Sequence, residues 1–248
     1  MSSPPPPRAQ DRLILALDVD SAAEARAMVE KTSPYVGCYK IGLQLFVQEG
    51  PALVRELTDA GRKVFLDLKL HDIPNTVLAA ARRIAGLGAS LFTVHCLNGQ
   101  RSIEHCLTGL REFCTHGSLA PPTMVGVTVL TSMTDADLHG TGLVLGVEKA
   151  VENLAGQGYR AGLRTFVASA REARLIKQTF PDVFLITPGI RPAGSPVEDQ
   201  SRAMTPGEAI PAGADALVIG RPILRAVDPA AAARMVLEEI EQALDQSA

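Results

Sequence analysis

Eight short apolar runs, at residues 13–19, 36–41, 64–68, 90–95, 123–130, 162–168, 183–187 and 214–219, recur along the chain at intervals of about 20 to 35 residues. Between them lie stretches with helical periodicity or helix-start chemistry. Ser21 with Glu24 forms a capping box ahead of 22–30. Further helical stretches cover 44–60, 73–87 (Asp72 as cap, Pro74 in the first turn), 101–113, 143–157 and 172–179. Thr205-Pro206-Gly207-Glu208 is another capping box, Gly220-Arg221-Pro222 opens a short helix, and Asp228-Pro229 starts the last one, with the stripe Val236, Leu237, Ile240 and Leu244. This alternation predicts an α/β fold, a (β/α)8 TIM barrel, as one domain over 11–248. A doubly wound sheet is the rival, but no run is followed by the GxGxxG turn of a dinucleotide fold.

A formal net charge of −3 over 248 residues gives no global basic footprint, so no nucleic-acid partner is expected. No apolar run reaches the roughly 18 residues of a membrane helix. Cys38, Cys96, Cys106 and Cys114 show neither CxxC pairing nor dense spacing, which reads as free thiols filling a core in a reducing, cytoplasmic setting. Residues 1–10 carry four consecutive prolines and no apolar leader segment, and read as a disordered, extended tail.

In a barrel the strand C-terminal ends share one mouth, where the chemistry lies. Asp18, Lys40, Asp67, Lys69, His95, Thr131 and Gly220 all fall at or near such ends. The third run is the most unusual, because Asp67, Lys69 and Asp72 interrupt an otherwise hydrophobic segment. Unpaired charges buried there cost several kcal/mol, roughly, so they read as a site rather than a stabilising device. Asp67 and Lys69 are two apart and on a regular strand share a face. Lys40 arrives from the neighbouring strand. A lysine held between carboxylates is a poor nucleophile and a well-placed proton donor. Gly220-Arg221 follows the eighth run, where many barrels bind phosphate, and Arg191 can reach the same anion. His95 reads equally as a hydrogen-bonded histidine near the mouth or a substrate contact; His71 receives no role. No cluster has convincing metal-ligand spacing. Asp18, Asp67 and Asp72 could hold Mg²⁺, but the two lysines already supply positive charge.

The segment Phe65-Leu66-Asp67-Leu68-Lys69-Leu70-His71-Asp72-Ile73-Pro74-Asn75-Thr76, with its core Asp-x-Lys-x-x-Asp, resembles the signature of the orotidine 5′-phosphate decarboxylase family in its compact bacterial form. Leu17-Asp18, Lys40-Ile41-Gly42, the 127–132 segment, Thr187-Pro188-Gly189-Ile190-Arg191 and Ile219-Gly220-Arg221-Pro222 extend the likeness over about residues 11–245. The resemblance implies conversion of orotidine 5′-monophosphate to UMP and CO₂, the last step of de novo UMP synthesis, without metal or organic cofactor. It implies that Lys69 protonates C6 of the pyrimidine, that Asp67 lies near the substrate carboxylate, and that Lys40 and Asp18 hold the ribose hydroxyls and complete the charged array. Thr131 would contact the pyrimidine; Arg191, Gln200, Gly220 and Arg221 would hold the phosphate, Gln200 from a closing loop. Asp72 and Thr76 would reach into the partner's site across a homodimer. Phosphosugar enzymes on the same barrel, such as hexulose-phosphate synthase, share Asp-x-Lys-x-x-Asp but resemble Mg²⁺ enzymes with an acidic residue where this chain has Lys40. A non-catalytic nucleotide-binding barrel is the rival of another class.

Overall fold

A computed structural model describes residues 8–192 and 204–246, and in it eight parallel strands pair in sequence order and close into a barrel. The strands are β1 (Leu13–Ala16), β2 (Cys38–Gly42), β3 (Val64–Leu70), β4 (Leu91–His95), β5 (Thr123–Val127), β6 (Thr165–Val167), β7 (Phe184–Pro188) and β8 (Ala216–Ile219). β1 pairs with β8 through Ile14 and Val218, which completes the ring. The helices between them are α1 (Ala22–Thr32), α2 (Leu43–Asp59), α3 (Pro74–Gly86), α4 (Gln100–His116), α5 (Asp135–Gly140), α6 (Val147–Arg160), α7 (Ala170–Thr179), α8 (Pro206–Ala209), α9 (Arg221–Leu224) and α10 (Pro229–Asp245).

Strand periodicity sorts the core into two layers. Leu13 and Leu15, Tyr39 and Ile41, and Val64 and Leu66 belong to the larger cluster between strands and helices. Their alternates Ile14, Cys38, Phe65, Val125, Ile186 and Ala216 form a separate cluster made of strand residues alone, the barrel interior. Carried toward the strand C-termini, the inner parity reads Ala16 then Asp18, Lys40, Asp67, Val127, Pro188 and Gly220. The barrel's own pleat thus delivers the charged residues to the mouth.

Several local expectations are corrected. β1 stops at Ala16 rather than 19, and β5 at Val127 rather than 130, because apolar residues continue past the last ladder pair into the mouth. β3 runs on to Leu70 through an irregular register. Asp72 does not cap α3; Ile73 is its N-cap, and Asp72 Oδ1 accepts from the Ile73 N–H at 2.6 Å. α2 is kinked at Gly50 (φ 65°, ψ −160°), where Pro51 removes a backbone donor. α5, with its Thr134–Asp137 capping box, was not foreseen, and α6 begins at Val147 instead of 143. The box at Thr205 is formed as expected. At Ser21 only half of it forms: Ser21 Oγ accepts from the Glu24 N–H at 3.3 Å, while the Glu24 carboxylate accepts from the Asp20 N–H at 3.4 Å instead of closing on Ser21. Ala9 and Gln10, which composition assigns to the tail, belong to a 3₁₀ turn, Ala9–Arg12. All four cysteines are free and buried. Among the described residues no helix is long and apolar enough to cross a membrane.

Candidate active site

β3 is bent out of regular geometry where its charges stand. Leu66 pairs with Phe92 and Leu70 with Val94, so the three residues Asp67 to Lys69 face Thr93 alone. Such a bulge re-aims side chains, and Lys69 takes up the extra length in the left-handed region at φ 51°. The Lys69 ammonium turns back onto Asp67, donating to Oδ1 at 2.9 Å and Oδ2 at 3.0 Å.

From β2, Lys40 Nζ lies 3.6 Å from Asp67 Oδ2 and 3.4 Å from Asp18 Oδ1. The result is a row of alternating sign: Asp18, Lys40, Asp67, Lys69. Its inner members are largely withdrawn from water, with 12% of the Lys40 side chain and 15% of Asp67 exposed, whereas Lys69 keeps 34%. Surface pairs contribute about 0–1 kcal/mol because water and salt screen them. The inner pairs here are less screened, and the more open ammonium of Lys69 can reach a ligand. Gly42 leaves room for the row, since a Cβ there would lie 3.2 Å from Lys40 Nζ and 3.5 Å from Asp18 Oδ1.

These four residues line a cavity of about 280 Å³ together with Thr131, Arg191, Gly220 and Arg221. A neighbouring cavity of about 350 Å³ shares Thr131, Gly189 and Arg221 with it and extends toward Ser169 and Glu172. Arg191 is fixed by the bond from its N–H to Met204 O at 2.9 Å. Asp72 and Thr76 are exposed and outside the cavity. Gln200 lies outside the described residues.

Asp72 is nonetheless held in place. Its N–H donates to Asn98 Oδ1 at 3.1 Å, and Asn98 Nδ2 donates to Leu70 O at 2.8 Å and His95 O at 2.9 Å. Asn98 therefore pins the loop after β3 to the end of β4. In the sequence Asn98-Gly99 marks only a strand break, which hid this role. Thr93 was missed as well, although its inward parity with His95 on an apolar strand was the available signal. His71 stacks on His95 with ring centroids 5.6 Å apart. Burial, with His71 and Lys69 as neighbours, pushes the His95 imidazole down from 6.5 to about 4, so this half-buried ring is neutral at pH 7. Its Nδ1 accepts from the Leu97 N–H at 3.3 Å.

Residues 11–236 match the model of the Orotidine 5′-phosphate decarboxylase / HUMPS family. The orotidine 5′-phosphate decarboxylase of Syntrophotalea carbinolica is 45% identical over 239 residues, covering 96% of this chain and 98% of that one. The enzyme of the same name from Vibrio cholerae is 46% identical over 234 residues, covering 94% and 98%. The crystal structure of orotidine 5′-phosphate decarboxylase from Lactobacillus acidophilus aligns with a TM-score of 0.81 at 35% identity, covering 92% of this chain and 98% of that one.

Proposed function

The chain belongs to the Orotidine 5′-phosphate decarboxylase / HUMPS family, and we propose that it converts orotidine 5′-monophosphate to UMP and CO₂ as the last step of de novo UMP synthesis. The observation that carries this reading is the alternating row Asp18–Lys40–Asp67–Lys69 on the cavity wall. The family description spans two branches, and Lys40 favours the decarboxylase. Its ammonium stands within 3.6 Å of both Asp18 and Asp67, where the phosphosugar branch would need carboxylates free for Mg²⁺.

In this reading the C6–carboxylate bond breaks, CO₂ leaves, and the electron pair stays on C6. The Lys69 ammonium stabilises the carbanion and transfers a proton from Nζ to C6. Asp67 sits against the substrate carboxylate, repelling it in the ground state and no longer once CO₂ has gone. Preorganised charge of this kind acts most strongly where water is excluded. Asp18 and Lys40 hold the ribose hydroxyls, and Thr131 meets the pyrimidine. Arg191, Arg221, Gly220 and Gln200 take the phosphate, whose binding, remote from C6, supplies free energy to hold the reacting end in place. No metal or organic cofactor takes part. The protein acts as a cytoplasmic homodimer, with Asp72 and Thr76 serving the partner's site; their exposure beside this chain's own cavity supports that placement.

The direct test is the loss of absorbance when orotidine 5′-monophosphate is added in excess EDTA. Turnover that survives chelation and is almost abolished in Lys69→Ala is the expected result. Turnover only with added Mg²⁺ would move the chain to the phosphosugar branch, and UMP binding without turnover would make it a non-catalytic barrel.

A further inference from the structure

We propose that Thr93 is a positioning residue that holds the β3 bulge, and with it the Asp67–Lys69 pair, in reacting geometry. Thr93 is completely buried, and its hydroxyl is used in both directions. Oγ1 accepts from the Lys69 backbone N–H at 2.7 Å and donates to Asp67 Oδ1 at 3.0 Å. A regular parallel ladder would give the Lys69 amide a carbonyl on β4. Here three residues of β3 share the space opposite one residue of β4, and the side chain of that residue takes the carbonyl's place.

The consequence for the site is geometric. Lys69 occupies a left-handed backbone position that a non-glycine residue adopts only when its surroundings enforce it. The Thr93 hydroxyl is the hydrogen-bond partner at the point of strain. By donating to the same Oδ1 that receives Lys69 Nζ, it also fixes the rotation of the Asp67 carboxylate. One hydroxyl thus sets the backbone of the ammonium-bearing residue and the orientation of its counter-ion. Arg191 and Arg221, two of the residues assigned to the phosphate, come from segments after β7 and β8, remote in sequence from this device. The inference rests on the assignment of Lys69 as proton donor, and it predicts a defect in kcat rather than in KM.

Thr93→Val removes the hydroxyl at nearly constant volume, and Thr93→Ser keeps it while removing a methyl. In decarboxylation of orotidine 5′-monophosphate, Thr93→Val should lower kcat by about 10- to 100-fold, the scale of a misplacement near 1 Å, with KM within about threefold. Thr93→Ser should stay within about threefold of the parent on both. Amide hydrogen exchange supplies a readout independent of turnover: the Lys69 N–H should be protected in the parent and in Thr93→Ser, and exchange at least about tenfold faster in Thr93→Val. Should the valine variant not fold, Thr93→Ala replaces it as the variant lacking the hydroxyl. Parent-like kcat without the hydroxyl, a serine variant as slow as valine, or equal protection of the Lys69 amide in all variants would overturn the proposal. If the parent itself fails to decarboxylate, the functional reading falls, and the exchange comparison still decides whether Thr93 holds the bulge.

Discussion

At Lys69 the demands of chemistry and of the backbone oppose each other. A φ of 51° costs a side-chain-bearing residue on the order of 1–3 kcal/mol, and glycine adopts it without that penalty. The chain keeps lysine, so the ammonium is worth more to function than relief of strain is to stability. This gives a comparison of two inactive variants. Lys69→Gly should be more stable than Lys69→Ala by about 1 kcal/mol, the reverse of the order at an ordinary strand position, as urea unfolding would measure. His95 carries a second residue-level prediction. Its native value of about 4 lies below the 6.5 of an unfolded histidine, so between these values the unfolded chain binds more protons. The contribution of a neutral His95 is therefore complete above pH 6.5 and is lost as pH falls toward 4. Thermal melts should show the parent losing stability over that window, and His95→Gln losing less by roughly 1–2 kcal/mol, allowing for solvent screening of the half-exposed ring.

At the scale of elements, the barrel's closed end is sealed by the N-terminal 3₁₀ turn. Arg12 Nη1 donates to Asp215 O at 2.9 Å, Asp11 pairs with Lys63 at 2.8 Å, and Gln10 Nε2 donates to Pro34 O at 3.2 Å. These contacts join the turn to the segments entering β8, β3 and β2. Gly37 permits the close approach, for a Cβ there would stand 2.7 Å from Asp11 Cα, and backbone cannot yield as a side-chain tip can. Gly37→Ala should destabilise by about 1–3 kcal/mol while leaving kcat unchanged, since the site lies at the opposite end. Differential scanning calorimetry beside a turnover assay separates the two effects. The same element scale shows what the sequence made legible. Alternating apolar runs and helix caps disclosed the order of elements, and the position of Lys40, Asp67 and Gly220 at the ends of such runs disclosed the mouth. The bulge stayed hidden because Asp67 and Lys69, two apart, satisfy a regular strand equally well. Its cause is a pairing with Thr93, 24 residues away, and no local pattern encodes that. The turn at Ala9–Arg12 was obscured for a similar reason: its partners lie on three distant loops, while its own composition merges with the prolines before it.

At the scale of the molecule, the two ends of the barrel divide the work, one closing the core and the other presenting charge to a ligand. The Asp-x-Lys-x-x-Asp signature divides too. Asp67 and Lys69 face this chain's cavity, while Asp72 stands outside it, held by Asn98. Near Asp72 two apolar side chains stand exposed among polar ones: Ile73 is 66% exposed, and Leu97, next to Asn98, is 45% exposed. Exposed apolar groups around a fixed carboxylate suit a second copy of the chain better than open water. In a symmetric dimer each complete site would then combine Lys69 of one subunit with Asp72 of the other. Lys69→Ala and Asp72→Ala homodimers should each be nearly inactive. A mixed dimer holds one site with both substitutions and one with neither. With equal amounts and free exchange, half of the dimers are mixed and half of their sites are intact, so about a quarter of parental activity should return. Subunit exchange can be followed by native mass spectrometry of tagged chains. Full exchange without recovered turnover would place Asp72 in a structural role and confine each active site to one subunit.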